Sequence, residues 1–319
     1  MAVRSKWQSL PTEAINPATL GIDKLAPADI VEGMLNEDRK MLAAVQREKE
    51  RIAVGIEIIS QALRKGGRIV FVGAGTSGRL GVVESAEMPI TFGTRPELVL
   101  AVMAGGQDAV THPSKEGVED NYEEGSRSIN RLRPSRKDVV IGVSASGMTP
   151  FVRGALTRAR RAGSKIIFLT CDPRTELQTF VDLTIAPAVG PEVIAGSTRL
   201  KAGTATKLVL NMLTTGAMVR IGKTYGNLMV DLQLGSDKAR DRAKRIITIV
   251  TGLEYEAADE LLKRADWDLK AAIVMQKAGL TLPQALKRLK KADDLVRDAI
   301  GEDIEPRLRE VLERRTATP

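Results

Sequence analysis

Two stretches of this chain set small hydroxyl side chains among glycines directly after apolar runs. Gly73-Ala74-Gly75-Thr76-Ser77-Gly78 follows Ile69 to Val72, and Ser144-Ala145-Ser146-Gly147-Met148-Thr149-Pro150 follows Val139 to Val143. Glycine lets the backbone approach a ligand closely, and hydroxyls beside the free N–H groups of a helix start suit an anion, above all a phosphate. Gly75, Thr76 and Ser77 are the candidates in the first loop; Ser144, Ser146 and Thr149 are those in the second. One such loop is common, but two that each open a helix after a strand can converge on one anion. Helix N-capping also accounts for Ser and Thr at such positions, and the two roles are compatible. A third polar cluster, Glu192 to Thr204, adds Glu192, Ser197 and Lys201 as groups for an anionic ligand. It reads equally well as a capped helix start with a solvated charged face.

Carboxylates flank these loops. Glu84 and Glu87 follow the first, while Glu116, Glu119 and Asp120 fall in a helix expected from about Lys115 to Leu132, where Glu116 and Glu119 share a face. Most carboxylates are solvated surface groups, but a pair in different environments can divide acid and base work on a bound sugar. Pro89 is expected to close the first helix, which puts Glu87 in its last turn. There the helix dipole disfavours a negative charge and favours the role of proton donor.

The elements that must position these groups alternate. Strands are expected at 69–72, near 98–104, at 139–143, at 165–170 and near 183–186, with helices after each polar loop and a long one from about Leu200 to Ile221. That order specifies an α/β fold, a mostly parallel sheet with helices on both faces, in which ligands sit beyond the carboxyl ends of the strands. The first loop also fits G-x-G-x-x-G. A dinucleotide site, however, needs an acid at the tip of the second strand, and here that tip reads Ala104-Gly105-Gly106-Gln107. Ahead of the sheet, Ile30, Met34, Met41, Val45, Ile52, Ile56, Ile59 and Leu63 recur at helical spacing. Residues 1–27, with Pro11, Pro17 and Pro27, read as an extended arm. The expected organisation is an arm and helices over 1–64, a ligand domain over 65–237, a small three-helix (UBA-like) unit over 238–300 and a frayed tail over 301–319.

Composition narrows the classes. The net charge of +8 is spread: Lys238 to Pro319 carries 18 basic and 15 acidic residues, and aromatics make up 3% of the chain, so nucleic acid is not an expected partner. A single cysteine, Cys171, and a single histidine, His112, leave no disulfide framework and no histidine-based metal site. No run approaches 18 apolar residues, and the first residues lack the apolar core of a signal peptide. A soluble, cytoplasmic protein without metal and without membrane contact is expected.

With these residues in hand, the chain resembles the N-acetylmuramic acid 6-phosphate etherases of the sugar isomerase (SIS) superfamily. The likeness runs from Thr12-Glu13 and Asn16 through GAGTSGRLGV (73–82), Glu87 and Glu116-Gly-Val-Glu119-Asp120. It continues through SASGMTPFV (144–152), GSTRLKAGTATKLVLNML (196–213) and GKTYGNLMVD (222–231). The resemblance implies a carbon–oxygen lyase that cleaves the D-lactyl ether of a phosphorylated amino sugar by elimination and hydration, in cell-wall amino sugar recycling. It implies no cofactor, and a homodimer whose subunits share groups. Glu87 would be the proton donor to the departing lactate and Glu119 the base at C2, with Ser77, Ser144, Ser146 and Thr149 on the 6-phosphate. Where many members read Glu-Cys-Pro-Pro-Thr-Phe, this chain reads Glu87-Met88-Pro89-Ile90-Thr91-Phe92. Altered packing rather than lost chemistry is expected there.

Two rivals share the loops. A non-catalytic sugar-phosphate sensor of the glucokinase regulatory protein type carries two such domains in a much longer chain. An aldose–ketose isomerase of the same superfamily is also phosphate-dependent, but the GSTRLKAGTATK segment and the terminal helices favour the etherase.

Overall fold

Four apolar, β-branched runs and a shorter fifth form the sheet, because a strand buried on both faces needs apolar residues at every position. A computed structural model of the chain describes residues 7, 10–113 and 115–316. Its strands are β1 (Ile69–Gly73), β2 (Val99–Met103), β3 (Val139–Val143), β4 (Lys165–Leu169) and β5 (Leu183–Ile185). They pair in parallel in the order β2-β1-β3-β4-β5. β1 and β3 are neighbours in register, Gly73 opposite Val143, so the two hydroxyl loops leave the sheet side by side at its carboxyl edge.

The chain divides into two compact units, residues 1–86 with 96–216 and residues 87–95 with 217–319. In the first, the helices are α1 (Pro27–Arg47), α2 (Lys49–Arg64), α3 (Gly75–Phe92, up to residue 86), the short α4 (Asp108–Thr111), α5 (Tyr122–Arg131), α6 (Pro150–Arg161) and α7 (Lys201–Arg220, up to residue 216). The helical stripe read from the sequence points inward as expected: Met41, Val45, Ile52, Ile59 and Leu63 are buried. On one sheet face Val70, Val140, Ile166 and Phe168 pack with Phe151, Val152 and Leu156 of α6 and Ile129 of α5.

Several expectations are corrected. Pro89 does not close α3, which runs on to Phe92. Proline removes one donor and crowds the carbonyl four residues back, yet a helix with burial on either side survives that loss, and Met88 and Phe92 are both buried. Glu87 therefore does not stand in a terminal turn, and the helix-end argument for its role falls away. The helix expected from Lys115 begins only at Tyr122, where Asn121 accepts a bond from the Glu124 N–H. Gly117 takes φ 72°, outside helical range, so Glu116 and Glu119 do not share a helical face; Glu119 sits in a 3₁₀ turn, Val118–Asp120. The arm is not plainly extended either. From Pro11 to Lys24 it forms three 3₁₀ turns, two of which start at a proline.

The second unit has its own core. A short antiparallel pair, β6 (Thr224–Tyr225) and β7 (Leu228–Met229), precedes α8 (Asp237–Thr251), α9 (Tyr255–Arg264), α10 (Leu269–Ala278), α11 (Leu282–Lys291), α12 (Val296–Ile300) and α13 (Glu305–Thr316). Five helices, α8 to α12, thus stand where three were expected, and α13 occupies the stretch read as a frayed tail. Ile304 is buried and Leu308 packs on the same core, which fixes the start of that helix. Val250, Leu261, Leu262, Ile273, Val274 and Leu289 lie in this core; Leu286 is 44% exposed, because Ala285 and Leu289 take the inward face of α11.

Candidate functional site

The first loop is shorter than the sequence suggests. α3 already starts at Gly75, so Thr76 and Ser77 stand in its first turn, where the N–H groups lack intrahelical partners. Two glycines permit this. A Cβ on Gly73 would lie 2.6 Å from the Gly78 nitrogen, so the end of β1 and the first turn of α3 can touch only without side chains. In the second loop the Ser144 and Thr149 hydroxyls are 2.7 Å apart, Ser144 and Ser146 are 3.5 Å apart, and the Met148 N–H donates to the Ser146 hydroxyl. Thr149 occupies the N-cap of α6 yet makes no capping bond, its hydroxyl being turned to Ser144 instead. The capping account of Thr149 thus fails in its usual form, and the hydroxyls cluster on one another.

Both loops line one cavity of about 350 Å³. Gly75, Thr76 and Ser77 contribute from the first, and Ser144, Ser146 and Thr149 from the second. Glu119 is on its wall, as are Thr198 of the third polar cluster and Thr206 of α7. The lining also includes Leu10 and Glu13 of the arm. Among the described residues the wall carries hydroxyls and helix-start N–H groups but no lysine or arginine, a lining suited to an anion held by hydrogen bonding rather than by ion pairing.

Four sequence candidates do not line this cavity: Glu87, Glu192, Ser197 and Lys201. Glu192 is fully buried and accepts the Lys201 and Ala202 N–H groups at 2.9 Å each, capping α7; burial pushes its carboxyl upward against those bonds. The Lys201 ammonium turns to Glu37 at 2.6 Å, with both side chains almost wholly enclosed. Glu37 also receives Lys40 and the Asn16 amide, the latter at 3.0 Å. Burial opposes the Glu37 charge, but the bonds from Lys201, Lys40 and Asn16 outweigh it and bring the carboxyl down to about 2. Glu37 went unnoticed in the sequence because nothing in its spacing separates it from the solvated acids of α1. Ser197 is half-buried beside the lining residue Thr198. Arg79, next to the first loop, donates to the carbonyls of Val110 and His112. Glu84 accepts from Asn211 at 2.7 Å and from Thr214, a contact between α3 and α7. Glu87 is exposed on α3, ten residues beyond Ser77, in the stretch grouped with the second unit. Cys171 is buried, which pushes its thiol up to about 12 and leaves it unreactive.

Comparison with known proteins places the chain in a family. The N-acetylmuramic acid 6-phosphate etherase of Salinibacter ruber is 48% identical over 297 residues, covering 93% of this chain and 95% of the relative. The chain belongs to the N-acetylmuramic acid 6-phosphate etherase family. The proteins of that name from Photorhabdus laumondii and Clostridium acetobutylicum are 43% and 46% identical, covering 92% and 93% of this chain and 97% and 98% of the relatives. Family membership therefore spans the sheet and the terminal helices together. A model of the glucokinase regulatory protein N-terminal SIS domain matches residues 51–160, the part that carries both hydroxyl loops. Among solved structures, a phosphoheptose isomerase from Francisella tularensis is 17% identical with a TM-score of 0.48, covering 61% of this chain and all of that one.

Proposed function

We propose that this chain cleaves the D-lactyl ether at C3 of N-acetylmuramic acid 6-phosphate, giving N-acetylglucosamine 6-phosphate and D-lactate. The observation that carries the reading is the hydroxyl-ringed cavity at the carboxyl ends of β1 and β3 with Glu119 on its wall, in a chain 48% identical to an etherase over nearly its full length. The 6-phosphate occupies the hydroxyl ring of Ser77, Ser144, Ser146 and Thr149. The sugar reacts as its open-chain aldehyde, which acidifies the proton on C2. Glu119 takes that proton and the C3–oxygen bond breaks; the family resemblance, not the cavity lining, assigns Glu87 as the group that protonates the departing lactate oxygen. Water then adds to the unsaturated intermediate at C3, so hydrolysis is complete without any change of oxidation state. The homodimer, the cytoplasmic setting and the place in cell-wall amino sugar recycling belong to the same proposal.

The test is D-lactate release from N-acetylmuramic acid 6-phosphate by the purified chain in the presence of a chelator. Release that Glu119→Gln abolishes supports the reading. Absence of release, with sugar phosphate still bound, would instead make the chain a sensor on this fold.

A further inference from the structure

The arm is bound to the first unit at four points. The Gly196 N–H donates to the Thr12 carbonyl at 3.1 Å, and the Thr19 hydroxyl donates to the Val193 carbonyl at 2.9 Å. The Asn16 amide reaches both Glu37, at 3.0 Å, and the Pro191 carbonyl, at 3.3 Å. Glu37 is itself held by buried Lys201, so the anchor of Asn16 cannot drift. Thr12 and Asn16 are 1% and 5% exposed. Glu13 lies between these anchors, and its backbone is thereby fixed while its side chain stays exposed.

The Glu13 carboxylate lines the cavity with the hydroxyls of Thr76 and Ser77. It lies across the backbone of Gly196: a Cβ there would stand 2.9 Å from one carboxylate oxygen and 3.7 Å from the other. Among the described residues it has neither an ion-pair nor a hydrogen-bond partner, in contrast to Glu37, Glu84 and Glu192. Two carboxylates, Glu13 and Glu119, thus line a cavity whose other polar side chains are chiefly hydroxyls. A carboxylate only accepts hydrogen bonds and repels a phosphate, so Glu13 must address the part of the ligand that carries O–H or N–H donors.

We propose that Glu13 is a substrate-binding residue that accepts a hydrogen bond from a hydroxyl or amide N–H of the sugar, and that the clamped arm exists to present it. The inference rests on the sugar-phosphate reading of the cavity and adds a group that selects the sugar from the phosphate. A charged acceptor gives a stronger bond than a neutral one, which sets the size of the effect.

The experiment is calorimetric titration of the full chain and of Glu13→Ala and Glu13→Gln with N-acetylglucosamine 6-phosphate, glucose 6-phosphate and inorganic phosphate. Glu13→Ala should weaken both sugar phosphates, or only the acetamido sugar if its N–H is the donor, by about 10-fold or more, while phosphate stays within about twofold. Glu13→Gln, which keeps an acceptor oxygen, should fall between. Equal loss for phosphate and sugar phosphate, or no loss at all, would overturn the assignment. Failure of the unaltered chain to bind either sugar phosphate would overturn the sugar-phosphate reading along with it.

Discussion

The ammonium of Lys201, at the first residue of α7, meets the carboxylate of Glu37 on α1 at 2.6 Å, with side chains 1% and 4% exposed. This pair ties the start of α7 to the helix that precedes the sheet, and through Asn16 it ties the arm to both. A buried charge deprived of its partner is costly. Lys201→Met should therefore lower stability by about 3 kcal/mol, and a urea-unfolding loss below ~1 kcal/mol would refute the pair's structural weight.

The same pair sets an acid limit. The folded Glu37 carboxyl sits near 2 against an ordinary 4.5, so its contribution is complete above about pH 4.5 and is lost as pH falls toward 2. Unfolding midpoints measured across that window should drop for the natural chain, and Glu37→Gln should flatten the drop. An unchanged acid limb in the variant would show that other carboxylates govern it.

Acid and base assignments are checked by turnover. Glu119→Gln and Glu87→Gln should each reduce lactate release by about 100-fold or more while leaving N-acetylglucosamine 6-phosphate affinity nearly intact. Near-normal turnover in either variant removes that residue from the chemistry. A purely positional role would show as weakened binding instead.

The hydroxyl ring is checked by binding. Ser146→Ala deletes a hydroxyl that lines the cavity and should weaken N-acetylglucosamine 6-phosphate by about 10-fold, with the melting temperature little changed. Unaltered affinity in calorimetry would move the phosphate elsewhere.

The contact between Gly73 and Gly78 supplies a steric test. Gly73→Ala places a methyl 2.6 Å from the backbone nitrogen of Gly78, so the first turn of α3 must shift. A loss of roughly 2 kcal/mol and weakened phosphate binding are expected together. An alanine variant with the natural melting temperature and affinity would mean that the turn adjusts freely.

By itself the sequence determined the sheet and its loops. Runs such as Val139 to Val143 are apolar at every position, which only a strand covered on both faces tolerates, and the hydroxyl clusters that follow them had to lie at one edge of a parallel sheet. It could not determine where long polar side chains would point. Lys201 and Glu192, read as ligand groups, turn into the protein, because a helix start offers N–H donors to one and a buried acid draws in the other. Glu13 comes to the cavity because Thr12 and Asn16 are anchored to residues more than 170 positions away. Helix boundaries at Pro89, Gly117 and Glu305 were likewise decided by burial on their flanks and by backbone dihedrals, which local propensity does not encode.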